Sequence, residues 1–338
     1  MERTAYLLTA VVSMAVTGIL GFWLIPWLKR LKYGQTINEI GPTWHIGKQG
    51  TPTIGGLMFI IGTAIGLAVG YISLVLDAPI ILTSQYATEN VRLFAGYGAA
   101  LAFGLIGFVD DYLKVIHTRN LGLTAKGKIF MQIFAAAGYL YVMHRFGGAT
   151  TVFKIPFIGD VDFGIWYYAI SMLAIIYFVN SVNLTDGIDG LASSVTFVVS
   201  CGFIAVSSLL GYIGTGLLAT SIAAGCVGFV IWNFYPAKVF MGDTGSMFLG
   251  GAVMAMGYGV SFPVVLLFAG IVYICEALSV VIQVTYFKLT HGKRIFKMSP
   301  IHHHFEMCGW SEIKIVTVFS TVALIGVLLS VAAVIFTP

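Results

Sequence analysis

Long apolar runs, each closed by a short polar break, recur near residues 5–28, 54–76, 91–109, 127–145, 164–181, 191–210, 215–232, 246–260, 264–287 and 314–336. A helix needs about 20 apolar residues to cross a bilayer, and in lipid its backbone N–H and C=O groups must pair within it. The pattern therefore predicts an all-α polytopic membrane protein with about ten transmembrane helices, built as one integral membrane domain over residues 1–338. The eighth and ninth runs are parted only by Ser261-Phe262-Pro263, which hydropathy alone reads equally as a hairpin or as one broken helix. Counting sides decides between them. With ten spans, the loops 29–53, 110–128, 182–190, 233–245 and 288–313 share one face and, with Lys314, hold 14 of the 18 Lys and Arg. Cytoplasmic loops carry the excess of basic residues, so that face is expected to be cytoplasmic and both termini extracytoplasmic. A nine-span chain would put the loop 29–53 or the loop 288–313 on the wrong side. The first run follows Arg3, lacks a small-residue cleavage site and meets Lys29-Arg30 directly, so it reads as an uncleaved span. On the outer side, residues 151–163 alternate apolar and polar around Gly159-Asp160, which predicts a small β-hairpin. No internal repeat of fixed period is present, so inverted-repeat transporter symmetry is not evident.

Composition agrees. Charged residues number 32 of 338, or 9%, and 58% of the chain is apolar, against the roughly 25% charged of a soluble domain. A mean hydropathy of +0.94 equally excludes a disordered chain. Forty glycines suit helices that pack closely in lipid. The net charge is only +4, in short loops rather than in a stripe interleaved with aromatics, which gives nucleic-acid binding little support. Cys201, Cys226 and Cys275 lie inside apolar runs and Cys308 stands alone, without disulfide or zinc spacing.

The acids carry more information. Five of the 14 fall on the inner face in three places: Asp110-Asp111, Asp186 and Asp189 within Asn183-Leu-Thr-Asp-Gly-Ile-Asp-Gly190, and Asp243 within Phe240-Met-Gly-Asp-Thr-Gly-Ser246. The outer acids Asp77, Glu89, Asp160 and Asp162 show no such grouping. One Asp at a helix end is ordinarily a cap or a solvated loop residue, but three glycine-flanked acidic motifs on one face are not. Converging carboxylates repel, and hard oxygen ligands beside a phosphate substrate suit Mg²⁺. Gly187, Gly190, Gly242 and Gly245 let backbone approach a ligand, or simply form turns. Asp186 and Asp189 would share a face if a helix begins before them. Asp110 and Asp111 diverge by about 100° on a helix, so different roles are expected.

The last inner loop supplies opposite charge: Lys293, Arg294 and Lys297, then Pro300-Ile-His302-His303-His304-Phe305-Glu306. The histidine triplet lacks the i, i+4 spacing of a zinc site, so phosphate contact is the expected use. Lys48, Lys114, Lys126 and Lys128 add positive charge to that face, each equally readable as a positive-inside residue. Glu276, a carboxylate inside an apolar run, is either a buried partner for a polar group or the mark of a helix break.

These motifs resemble the polyprenyl-phosphate N-acetylhexosamine-1-phosphate transferases, over essentially the whole chain. Asp110-Asp111, the Asn183 to Gly190 run and Met241-Gly-Asp243-Thr-Gly-Ser246 match the wider family. Thr51-Pro-Thr-Ile-Gly-Gly56 and the Pro300 to Glu306 motif point to its phospho-N-acetylmuramoyl-pentapeptide transferase branch. The resemblance implies a Mg²⁺-dependent bacterial enzyme, multi-pass in the plasma membrane, with a cytoplasmic active site. It would transfer phospho-N-acetylmuramoyl-pentapeptide from UDP-N-acetylmuramoyl-pentapeptide to undecaprenyl phosphate, giving lipid I and UMP. That is the first membrane step of peptidoglycan synthesis, and so bears on cell wall biogenesis, cell shape and cell division. It implies Asp243 as metal ligand, and Asp110, Asp111 and Asp186, with His302 and His303, as the rest of the catalytic set. Phe240 and Asp189 would contact uracil by stacking and hydrogen bonding. Lys48, Thr53, Asn183, Asn233, Gly242 and Gln283 would complete the nucleotide site, with Lys114, Lys126 and His304 as further phosphate contacts. The resemblance also implies nucleoside antibiotics as inhibitors and leaves a homodimer open.

A phosphate monoester acceptor, with its second pKa near 6, is mostly ionised at pH 7 and needs no strong base. Two routes stay open: direct attack by the lipid phosphate, which is favoured, or a phospho-aspartyl intermediate. The competing readings are a relative that uses another N-acetylhexosamine, disfavoured by the Pro300 to Glu306 motif, and an ion-coupled transporter or channel. Against the second, the acids gather at one face rather than at mid-bilayer.

Overall fold

The computed structural model describes residues 2–31, 48, 50–116 and 122–337; the remainder of the expected inner loops 29–53 and 110–128 lies outside the described residues. Among the described residues, ten helices are 18 residues or longer, one in each apolar run: α1 (Glu2–Arg30), α2 (Leu57–Asp77), α3 (Ala87–Ile116), α4 (Ala125–Arg145), α5 (Trp166–Thr185), α6 (Leu191–Leu210), α7 (Ile213–Asn233), α8 (Gly242–Gly259), α10 (Ile271–Leu289) and α12 (Glu312–Phe336). Two short helices, α9 (Leu266–Ala269) and α11 (Ile301–Glu306), lie between them. Eight of the long helices are apolar enough to cross a membrane, which makes this a multi-pass membrane protein. The two exceptions are α4 and α8. The reason is plain for α8: every residue from Thr244 to Gly259 is buried, among α2, α3, α5, α6 and α7, so its surroundings are protein rather than lipid. α4 carries Lys126, Lys128, His144 and Arg145 near its ends.

The ambiguous Ser261-Phe262-Pro263 does separate two helices. α8 stops at Gly259, Ser261 takes a φ of 55°, and a turn of 3-10 helix at Pro263–Val265 leads into α9. Gly270 then interrupts the ninth run six residues before Glu276, so Glu276 does not mark the break.

Small residues set how closely the helices approach. Thr9, Ser13 and Thr17 of α1 face Gly70, Gly66 and Gly62 of α2, where a Cβ would collide with α1 backbone or hydroxyl groups. On α3, a Cβ at Gly107 would overlap the Asp243 carbonyl, so the start of α8 rests directly on that glycine. Near its N-terminal end, α3 is tied by buried Arg92. Its guanidinium donates to Gly147 O (2.8 Å), Gly259 O (3.0 Å) and Ser261 Oγ (2.6 Å), and lies 4.8 Å over the Tyr212 ring. Asp110 is eighteen residues further along α3, about 27 Å at the helical rise, which is close to a bilayer core.

The hairpin is present as β1 (Val152–Ile155) and β2 (Gly159–Asp162), paired antiparallel. Its turn lies earlier than expected. Gly159 and Asp160 belong to β2, and the chain reverses at Pro156-Phe157, where Phe157 has a φ of 67° and Ile158 N–H donates to Ile155 O.

Candidate active site

Three helix ends bring the acidic motifs together. Asp110 and Asp111 sit near the end of α3, Asp243 in the first turn of α8, and Asp186 caps the end of α5. One ligand oxygen from each of Asp110, Asp111 and Asp243 can be chosen so that all lie within 4.8 Å of one another. The neighbouring acids do have different partners. Asp111 accepts the backbone N–H of Asp243 (3.2 Å), and the N–H (2.8 Å) and hydroxyl (2.7 Å) of Thr244, so a residue of α3 caps α8. Asp110 accepts Leu123 N–H at 2.8 Å and pairs with Lys114 at 2.6 Å. Gly242, at a φ of 70°, makes this entry possible: any Cβ there would press on Asp111 Oδ2 and Thr53 Oγ1. The Thr51 to Gly56 motif lies against the same strip. Phe240 N–H donates to Pro52 O, Gly55 N–H to Phe240 O and Gly56 N–H to Met241 O.

Lys114 Nζ stands 2.6 Å from Asp110, 3.1 Å from Asp243 and 3.8 Å from Asp111. Lys128 Nζ is 2.9 Å from Asp243, and Asn183 Nδ2 donates to Asp243 Oδ1 (2.9 Å) and Ser246 Oγ (2.7 Å). Lys126, on another face of α4, is exposed and has no ion-pair partner among the described residues, so Lys128 is the lysine the fold delivers to the acids. The donors are all hard oxygens and the cluster already draws an ammonium between three carboxylates, so the residues present fit a divalent cation.

Asp186 and Asp189 do not share a helix face, because α5 ends at Thr185 and both lie in the link to α6. Burial, then the nearby Asp243, Asp111 and Asp189 carboxylates, push the Asp186 carboxyl well above the usual range. No hydrogen-bond donor meets its side chain among the described residues. Asp189 is fully engaged. Its carboxylate takes Lys48 Nζ (2.7 Å) and Ala237 N–H (2.8 Å), and its own N–H donates to Glu312 Oε2 (2.9 Å). Glu312 also pairs with Lys48 at 2.7 Å. Asn233 braces the same link from below, accepting Gly190 N–H and donating to Val239 O.

The histidine triplet divides. His302 is fully buried against Glu276, His303 Nδ1 lies 2.6 Å from Glu306, and His304 accepts Lys297 N–H at 3.1 Å. Gln283 is spent on backbone, accepting Ile295 and Phe296 N–H and donating to Phe296 O. Glu312 was missed in the sequence because, directly after the Ser311 cap, it reads as an ordinary first-turn acid of α12.

The profile of the Glycosyl transferase family 4 matches residues 93–261, which span α3 through α8 and thus Asp110, Asp111, Asp186, Asp189 and Asp243. A phospho-N-acetylmuramoyl-pentapeptide-transferase of Heliobacterium modesticaldum is 43% identical over 325 residues, 95% of each chain. Enzymes of the same name from Clostridium botulinum and Acetivibrio thermocellus are each 42% identical, over 93% of this chain and 91% of theirs. The chain therefore belongs to glycosyl transferase family 4 and, within it, to the phospho-N-acetylmuramoyl-pentapeptide-transferases.

Proposed function

We propose that the chain transfers phospho-N-acetylmuramoyl-pentapeptide from UDP-N-acetylmuramoyl-pentapeptide to undecaprenyl phosphate at the cytoplasmic face of a bacterial plasma membrane. The observation that carries this is the meeting of Asp110, Asp111 and Asp243 with Lys114, Lys128 and Asn183, in a chain whose relatives are named for that transfer. An oxygen of the lipid phosphate bonds to the phosphorus attached to the sugar. The bond to the bridging oxygen breaks, its electron pair leaves with UMP, and lipid I remains. Mg²⁺ held by Asp243 with Asp110 and Asp111 would neutralise the donor diphosphate. Lys114 and Lys128 are placed to exchange carboxylate for phosphate oxygens, which is the charge stabilisation phosphoryl transfer needs. Asp110, already held by Lys114 and Leu123 N–H, suits orientation of the acceptor better than nucleophilic attack, which favours direct transfer. Phe240, half-buried and next in the chain to Val239, whose carbonyl accepts from Asn233, would stack on uracil. Asp189 would accept from the base once Lys48 shifts toward Glu312. The test is UMP release in detergent from the muramoyl-pentapeptide nucleotide, with and without undecaprenyl phosphate and Mg²⁺. Release is expected only with all three present. Release with another UDP-N-acetylhexosamine instead would reassign the donor, and a radiolabelled phospho-enzyme formed from donor alone would overturn direct attack.

A further inference from the structure

Glu276 of α10 and His302 of α11 are both fully buried, with His302 Nδ1 3.0 Å from each Glu276 oxygen. The other ring nitrogen, Nε2, is buried and has no hydrogen-bond partner among the described residues. It faces Gly187, where a Cβ would overlap both Nε2 and Cε1 of the ring. Gly187 directly follows Asp186 in the link that also carries Asp189. A buried carboxylate, a buried imidazole and the backbone of the acidic link are therefore lined up in one row.

The proton can be placed on physical grounds. A buried N–H without an acceptor is rarer than a buried acceptor without a donor. Nδ1 faces a carboxylate and Nε2 faces a Cα, so the proton belongs on Nδ1 and Nε2 keeps its lone pair. Both carboxylate oxygens lie 3.0 Å from Nδ1, so a proton there has an acceptor on either side. Remove the carboxylate and the ring is free to turn, leaving the link at Gly187 without its wall.

We propose that Glu276 is a positioning residue for the transfer: it holds His302 in the Nδ1–H form and in one orientation, and the ring sets where the Asp186 to Asp189 link lies. This rests on the transferase reading, and it moves His302 from touching substrate to acting through Gly187. The more accessible His303 and His304 are left to meet the ligand.

Nitrogen NMR on the full-length protein in detergent, with labelled histidine and His302 assigned by difference from His302→Asn, tests the tautomer without any assay of transfer. Protonated Nδ1 and bare Nε2 are expected in the unaltered protein, and an Nε2-protonated His302 overturns the proposal. Glu276→Gln should shift that population and lower kcat about 10- to 100-fold, the worth of one buried charge-assisted hydrogen bond. The Glu276→Gln, His302→Asn double variant should be no slower than the slower single one. Unchanged turnover in Glu276→Gln, or losses that simply multiply, would each refute it. If the unaltered enzyme released no UMP, the transferase reading would fail while the NMR result still stood.

Discussion

The two ends of α3 bury charge in opposite ways. At the N-terminal end a single cation, Arg92, gives its hydrogen bonds to neutral groups, Gly147 O, Gly259 O and Ser261 Oγ, and so ties α3 to the ends of α4 and α8. At the C-terminal end Asp110, Asp111 and Asp243 gather around two ammonium groups, those of Lys114 and Lys128, with the Asp186 carboxyl close by. In the first arrangement Nε and Nη1 of the guanidinium are answered by fixed neutral dipoles. The second holds more negative than positive charge and gains from any further cation that enters. Ionisable groups in membrane helices are costly wherever they occur, and of these two arrangements only the one with carboxylates to spare stays open to a further cation.

Substitutions at the two ends should separate turnover from stability. Asp243→Asn is expected to lower UMP release about 10²- to 10³-fold with its thermal unfolding little changed, because a charge aimed at the reacting phosphates is lost. Near wild-type Mg²⁺-dependent turnover would remove Asp243 from the metal site. Arg92→Met should do the reverse, costing about 1–3 kcal/mol in denaturant unfolding as buried acceptors lose their donor, with kcat per folded molecule retained. A fully folded but inactive Arg92 variant would break the contrast. Lys128→Met removes a counter-ion from the acidic cluster, and calorimetry should find Mg²⁺ bound roughly 10-fold more tightly. Weaker binding would mean that Lys128 shapes the site rather than competing for it. The smallest effect concerns pH. The folded state holds the Asp186 proton more tightly than an unfolded chain, whose Asp titrates near ~3.9. The stability this lends to the metal-free protein is full below that value and is lost as pH rises through the raised folded pKa. Thermal unfolding against pH should show the decline, and Asp186→Asn should flatten it.

Much of this was legible in the residues. Each apolar run contains one long helix because lipid leaves the backbone no partner outside its own helix. The hairpin could be read from period-two alternation, though not its turn, because Pro156-Phe157 looks like strand until Phe157 takes a positive φ. Hydropathy leaves α8, like α4, short of a membrane span, and for α8 the reason is that other helices enclose it, so it need not be lipophilic.

What the chain settled by itself was the helices and the gathering of five aspartates near three helix ends, since these follow from local period and from the cost of charge in lipid. What only the tertiary structure decided was who partners whom. Asp111 caps α8, Lys128 rather than Lys126 reaches Asp243, Glu312 holds the Asp189 link, and Glu276 orients His302. Those pairs join residues from 26 to 133 positions apart. A sequence can price each charge, but its partner depends on how closely helices approach, and at Gly107 and Gly187 that distance is set by the absence of a single carbon.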